Sequence, residues 1–227
     1  MNKEDYVRLV ISDLHLGSFN SKEEKLLDLI TNVEFDELVL AGDIIDFIRV
    51  PTFTETTAKI LDKMGKLGKR IVYVIGNHDI GLSKFVGKTV CGIEFVNKYE
   101  FEYANRKYKI VHGHQFETGV VTWRVFMNFL SILQDWAERA FGWNLATWYV
   151  NWKLRKRKLK RIWDILKWND EADVFIMGHT HIPEVVIWLD ENEKLKTYVN
   201  CGDWVEHSTY VIIKDGQLRL KKFDNSK

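Results

Sequence analysis

The chain predicts an α/β fold built on a largely parallel sheet, and three observations carry that reading. Five short apolar, β-branched-rich runs, "RLVISDLHLG", "ELVLAGDIIDF", "RIVYVIGNHD", "YKIVHGHQF" and "DVFIMGHTHIP", each stop abruptly at Gly, Asn, Asp or His, as buried strands do. The first three alternate with stretches of helical periodicity, an order that sets consecutive strands parallel and brings their C-terminal ends to one edge. With 227 residues and 46% hydrophobic content, there is material for one large core, so a single domain over residues 1–227 is expected.

Taken in order, the first run leads to a helix whose apolar positions are Leu26, Leu27, Leu29 and Ile30. The second leads to a helix marked by Ala58, Ile60, Leu61 and Met64, with Gly65 and Gly68 as its stops. The third strand completes βαβαβ. Between the fourth and fifth runs, residues 118–168 read as two helices broken near Gly142, the first with an apolar face of Phe126, Phe129, Leu130, Leu133, Ala137 and Phe141. After Pro183 the pattern becomes two hairpins, the second turning at Asp215-Gly216, and a second, antiparallel sheet is expected there.

Composition removes several classes of function. The two cysteines, Cys91 and Cys201, have no CxxC spacing, so neither a disulfide framework nor a zinc knuckle is indicated. The N-terminal "MNKEDYVRLV" lacks the apolar core of a secretory signal, and no run is long enough to cross a bilayer, so a cytoplasmic location is expected, at most on a membrane surface. The formal net charge of +1 hides one dense basic block, Lys153, Arg155, Lys156, Arg157, Lys158, Lys160 and Arg161, bracketed by Trp152 and Trp163.

The chemistry gathers at the strand ends: Asp13 and His15; Asp43 and Asp46; Asn77, His78 and Asp79; His112 and His114; His179 and His181. Carboxylate, carboxamide and imidazole donors suit Mn²⁺, Fe²⁺ or Zn²⁺, and a set without cysteine argues for a catalytic rather than a structural site. In "SDLHLG" and "GHTHIP" the paired residues stand two apart, so on an extended segment they would point the same way. Each fragment alone is more often structural; the force lies in all five occurring in order, each directly after an apolar run.

Asp13-x-His15, Gly42-Asp43-x-x-Asp46, Gly76-Asn77-His78-Asp79, His112-Gly113-His114 and Gly178-His179-Thr180-His181 together resemble the calcineurin-like metallophosphoesterases. The resemblance spans residues 13 to 181 and implies a four-layer α/β/β/α sandwich of two mixed sheets. It also implies two divalent cations, with Mn²⁺ the expected ion and Fe²⁺, Zn²⁺ or Mg²⁺ as alternatives. Asp13, His15 and His181 would hold one, Asn77, His112 and His179 the other, and Asp43 would bridge both. His78, oriented by Asp46, would assist phosphate binding or leaving-group protonation, while His114 is either a supporting partner behind the ligands or a polar strand end. Two such cations activate a shared water and neutralise charge during in-line displacement at phosphorus.

"SDLHLG", "AGDIIDF", "HGH", "GHTHIP" and "VNCGDW" are most similar to the UDP-2,3-diacylglucosamine pyrophosphatases of lipid A synthesis and their relatives, which insert a helical cap between the last two histidine motifs. Residues 118–168 occupy that place. The chain departs from that group at His78, where its best-known members carry Arg. The resemblance implies cleavage of a lipid-linked or nucleotide-sugar pyrophosphate into UMP and 2,3-diacylglucosamine 1-phosphate. Trp148, Trp152, Leu159, Ile162, Trp163 and Leu166 share a helical face opposite the basic residues, a pattern that suits the headgroup layer of an anionic membrane such as the inner membrane's cytoplasmic face. Arg155, Arg157, Trp152 and Trp163 are the candidate substrate contacts. The alternatives are a phosphodiesterase or nuclease using the basic block for nucleic acid, a solvated face packed by tryptophans, and a scaffold that kept the fold without turnover.

Overall fold

A computed structural model describes residues 6–47, 52–116 and 171–224. The expected βαβαβ start is present as β1 (Arg8–Ile11), α1 (Glu23–Asn32), β2 (Glu37–Ala41), α2 (Glu55–Gly65) and β3 (Arg70–Val74). The three strands are parallel and in register, Leu9 beside Leu38 and Leu38 beside Ile71. Next come β4 (Thr89–Val90), β5 (Ile93–Val96), β6 (Tyr99–Tyr103), β7 (Arg106–Ile110) and β8 (Val174–Met177). The chain then adds β9 (Glu184–Leu189), β10 (Leu195–Asn200), β11 (Thr209–Lys214) and β12 (Gln217–Lys222).

These strands form two mixed sheets, a seven-stranded one ordered β12-β11-β1-β2-β3-β5-β4 and a five-stranded one ordered β6-β7-β8-β10-β9. Both hairpins after Pro183 form, but they do not make a sheet of their own. β10 pairs parallel with β8 and carries β9 into the five-stranded sheet, whereas β11 pairs antiparallel with β1 and carries β12 into the seven-stranded one.

Strand parity explains the continuous apolar runs. Leu9, Ile11, Leu38, Leu40, Ile71 and Tyr73 meet Leu26, Leu29, Ile30, Ile60 and Met64 of the two helices. Val10, Val39, Ala41, Val72 and Val74 meet Tyr108, Ile110, Val174, Ile176 and Val199 of the other sheet. Helices, sheet and sheet thus supply three of the four expected layers among the described residues.

The two helices are fastened by polar contacts as well. Thr54 caps α2 reciprocally with Thr57, at 3.0 Å in both directions. The buried Glu23 at the head of α1 accepts from Thr54 Oγ1 at 2.6 Å, from Thr57 Oγ1 at 2.8 Å and from Gly17 N at 3.2 Å. One carboxylate therefore locks both helices to the loop leaving β1. Among the described residues no helix is long and apolar enough to cross a membrane. Residues 118–168, including Trp152, Arg155, Arg157 and Trp163, lie outside the described residues.

Candidate metal centre

β1, β2 and β3 run parallel in one sheet, and β7 and β8 run parallel in the other. The polar residues that follow all five strands therefore leave their C-terminal ends. The first two loops continue as a paired segment beyond the sheet: Asp13 N donates to Gly42 O at 3.0 Å, His15 N to Asp43 O at 3.0 Å and Leu16 N to Ile44 O at 2.8 Å. Gly178 approaches from the other sheet so closely that a Cβ there would overlap Ser12 Oγ and Asp13 Oδ2. At Gly76 a Cβ would overlap the Asp43 carboxylate and backbone nitrogen.

Convergence does not come from extended alternation, as the two-residue spacing had led us to expect. Asp13 (φ 53°), His15 (φ 47°), His179 (φ 67°) and His181 (φ 60°) are all left-handed, as is Asp43 (φ 54°). For a residue with a Cβ that conformation costs about 1–2 kcal/mol, and such strain concentrates at functional sites. Tight turns, not strand pleating, aim these side chains.

Ligand-type atoms of Asp13, His15 and His181 lie within 4.8 Å of one another, and so do those of Asp43, His112 and His179. In the first group Asp13 Oδ2 is satisfied by Ser12 Oγ (2.6 Å) and His179 N (2.8 Å). The buried Oδ1 takes no hydrogen bond, and lies 3.2 Å from His181 Nε2 and 3.9 Å from His15 Nε2. The two Nε2 atoms are 3.3 Å apart. An orphaned carboxylate oxygen and two imidazole nitrogens turned to one point fit a divalent cation.

In the second group His112 Nδ1 faces the Ala41 carbonyl at 2.9 Å and must donate to it. His112 Nε2 then faces Asp43 Oδ2 at 3.0 Å and Asn77 Oδ1 at 3.1 Å. A nitrogen lone pair set against two oxygens requires either a proton or a cation. Asn77, which the family resemblance sets with His112 and His179, is thus brought to His112.

Electrostatics reflects the crowding. Burial disfavours the imidazolium of His112, but Asp43 beside it outweighs this and pushes the ring up to about 10. Burial likewise opposes, and Asp13 overcomes, the rise of His181 to about 9. His15, buried and facing His181 and His78, falls to about 4. The Asp13 carboxyl, which burial alone would raise, is brought to about 2 by His181 and His112.

His78 and Asp46 form the expected pair, Nδ1 to Oδ1 at 2.8 Å, and His78 N donates to Asp43 Oδ1 at 2.8 Å. Asp46 also lies 4.0 Å from His15 Nδ1, so His15, Asp46 and His78 form a third close group. His114 opens a 3-10 turn (His114–Phe116), with its ring 5.6 Å from that of His112 and 6.4 Å from that of His179.

Two aspartates that sequence reasoning left without a role are built into the surroundings. Asp79 is buried and accepts from Tyr73 OH (2.7 Å), Ile44 N (3.0 Å) and Gly76 N (2.5 Å), clamping the loops after β2 and β3 together. Asp203 follows β10 in "VNCGDW", and the next residue's Trp204 N donates to Asp13 O at 3.0 Å. The available signal was a sixth polar stop after an apolar run, Gly202-Asp203, repeating the Gly42-Asp43 of the second.

A family model described as calcineurin-like phosphoesterase matches residues 7–183. A UDP-2,3-diacylglucosamine hydrolase of Vibrio cholerae serotype O1 is 23% identical over 231 residues, covering 90% of this chain and 93% of that protein. Among solved structures, the phosphoesterase Yfce from E. coli aligns with a TM-score of 0.50 at 14% identity, over 96% of this chain and 100% of that one. An archaeal phosphodiesterase aligns with a TM-score of 0.47 at 14% identity, over 95% and 99%. The match takes in every histidine and aspartate of the two three-residue groups, whose side chains come together from the strand ends of both sheets; this chain belongs to the calcineurin-like phosphoesterase family and is a metal-dependent phosphoesterase.

Proposed function

We propose that this phosphoesterase works with two divalent cations and cleaves the pyrophosphate of a lipid-linked or nucleotide-sugar substrate of the UDP-2,3-diacylglucosamine kind. The observation that carries the two-cation reading is the pair of donor groups, Asp13/His15/His181 and Asp43/His112/His179, with Asn77 beside the second. Asp43 is the bridging candidate that the family resemblance implies; in this chain its Oδ2 faces His112 Nε2 at 3.0 Å and lies 3.9 Å from His78 Nε2. When bound, the cations supply Lewis-acid neutralisation of the phosphoryl oxygens and a lowered pKa for water. The native ion is proposed as Mn²⁺.

The chain's own residues do the remaining work. Asp46 occupies His78 Nδ1, which leaves Nε2 as the working nitrogen. Burial disfavours charge on His78, but the Asp46 hydrogen bond and the Asp43 charge raise it above its ordinary value. A protonated His78 donates to a phosphoryl or leaving-group oxygen; an arginine there could hydrogen-bond the phosphoryl oxygen but could not give up a proton. The lipid-linked substrate is supported by relatives of that name aligning over 90% of the chain. The acyl part is assigned to residues 118–168, and the basic block at 153–161 to an anionic membrane surface, both on the sequence pattern alone.

The test is turnover in Mn²⁺ with UDP-2,3-diacylglucosamine, a soluble bis-aryl phosphodiester and single-stranded DNA, each with Asp43→Ala as control. Release of UMP from the lipid substrate alone is expected. Hydrolysis confined to the soluble ester or DNA would overturn the substrate assignment and leave the metal reading standing, and full activity of Asp43→Ala would sink the bridging role.

A further inference from the structure

The turn that follows β10 holds a carboxylate whose two oxygens do separate jobs. Asp203 is fully buried. Its Oδ1 accepts from Val205 N at 2.7 Å, from Glu206 N, and from His207 N at 3.2 Å, which closes the turn. Its Oδ2 is turned the other way, toward two histidines. His207 Nδ1 lies 2.6 Å from it and His181 Nδ1 3.8 Å from it. A residue needed only to cap the turn would have no use for the second oxygen's direction.

His181 has its two ring nitrogens facing two different carboxylates. Nε2 faces Asp13 Oδ1 and the His15 ring, and Nδ1 faces Asp203. An imidazole can give a lone pair to a cation through one nitrogen only if the other carries the proton, and an acceptor on that side fixes both tautomer and ring angle. At 3.8 Å the Asp203 contact is an ion-pair distance and not yet a hydrogen bond. The surroundings hold the acceptor in place: Trp204 N is bonded to Asp13 O, so the turn carrying Asp203 is tied to the loop carrying the first ligand.

We propose that Asp203 is a positioning residue for the metal centre, holding His181 with its proton on Nδ1 and its Nε2 lone pair directed to the cation shared with Asp13 and His15. This role rests on the metal reading of those three residues. His207 lies 2.6 Å from the same oxygen on the more exposed side, but the three turn N–H groups on Oδ1 hold the carboxylate in place without it.

The experiment is a calorimetric titration of chelator-stripped protein with Mn²⁺, comparing wild type, Asp203→Asn, His181→Ala, the double variant and His207→Gln. Asparagine keeps an oxygen for the three turn N–H groups, so metal-free Asp203→Asn should still unfold in one cooperative transition, which reports that the fold is kept. Asp203→Asn is expected to weaken Mn²⁺ binding by about 10- to 100-fold, and to add no further loss in the His181→Ala background, because the effect passes through that ring. His207→Gln is expected not to weaken binding. Unchanged affinity in Asp203→Asn, or losses that add in the double variant, would overturn the positioning role while leaving the metal reading intact. Wild-type protein that binds no Mn²⁺, or His181→Ala that binds as wild type does, would overturn both.

Discussion

His78 Nδ1 and Asp46 Oδ1 lie 2.8 Å apart, so a residue from the loop after β2 fixes the ring carried by the loop after β3. Asp46 is buried, whereas the His78 side chain keeps about a quarter of its surface exposed, as the proposed orienting role of the one and working role of the other require. His78→Ala should lower kcat by about 10²- to 10⁴-fold, the usual contribution of a positioned proton donor, with metal content unchanged by elemental analysis. Equal loss of metal and activity would make His78 a ligand or a fold element. Asp46→Asn removes a cause of the raised His78 pKa, so the alkaline limb of the kcat profile should move to lower pH.

Gly178 is a question of space. Its φ is not left-handed, but a Cβ would overlap Ser12 Oγ and Asp13 Oδ2, both buried. Neither can retreat, because Ser12 Oγ is also bonded to Ala41 O at 2.9 Å. Gly178→Ala should therefore destabilise by about 1–3 kcal/mol, as overpacking does, and displace Asp13 from its cluster, with Mn²⁺ binding and thermal unfolding as readouts. Gly81→Ala, which meets nothing within 4 Å, is the control. Equal effects of the two substitutions would refute the steric account.

The layout of the site was legible wherever a strand is buried on both faces, because such a strand is an unbroken apolar run and its polar stop is conspicuous. β6 carries the other strand signal, Tyr99, Phe101 and Tyr103 alternating with Glu100 and Glu102, and so does not stand out as an unbroken apolar run. Sheet membership of the last hairpins was not legible either, since it depends on which distant strand β10 and β11 pair with, and both turns read alike. Nor does any residue type announce the left-handed turns at Asp13, His15, His179 and His181. Asp and His tolerate that backbone better than most side chains, but nothing local selects it at these four positions, and the tertiary contacts of two sheets impose it.

Tyr73 and Asp79 make a prediction about the frame rather than the chemistry. Tyr73 OH donates to Asp79 Oδ2 at 2.7 Å inside the core, while Asp79 also holds Ile44 N and Gly76 N. Tyr73→Phe leaves the carboxylate its two backbone donors and should cost about 1–2 kcal/mol in chemical denaturation, and Asp79→Ala, which strands those donors, should cost more. If Asp79→Ala proves the milder of the two, the clamp is not what joins the loops.

The last prediction concerns pH and metal together. In the metal-free protein His112 and His181 hold protons up to about 10 and about 9, since Asp43 and Asp13 outweigh the cost of burial. Both values lie above the unfolded histidine value of about 6.5. Their contribution to stability is therefore complete below about pH 6.5 and is lost as pH rises through about 9 for His181 and about 10 for His112. His15 runs the other way: buried and lowered to about 4, it costs stability as pH falls from about 6.5 toward about 4. Cations held by His112 and His181, as proposed, would displace those protons, so Mn²⁺ affinity should climb from pH 7 to 9 and binding should release protons. Calorimetry in buffers of different ionisation enthalpy measures that release directly. Thermal unfolding supplies the second reading: the chelated protein should lose stability between pH 7 and 10, and the Mn²⁺-loaded protein, whose ligands carry no proton to lose, should not follow it. Parallel loss in both forms would mean that the two histidines are held by their carboxylates alone and that the cations bind elsewhere.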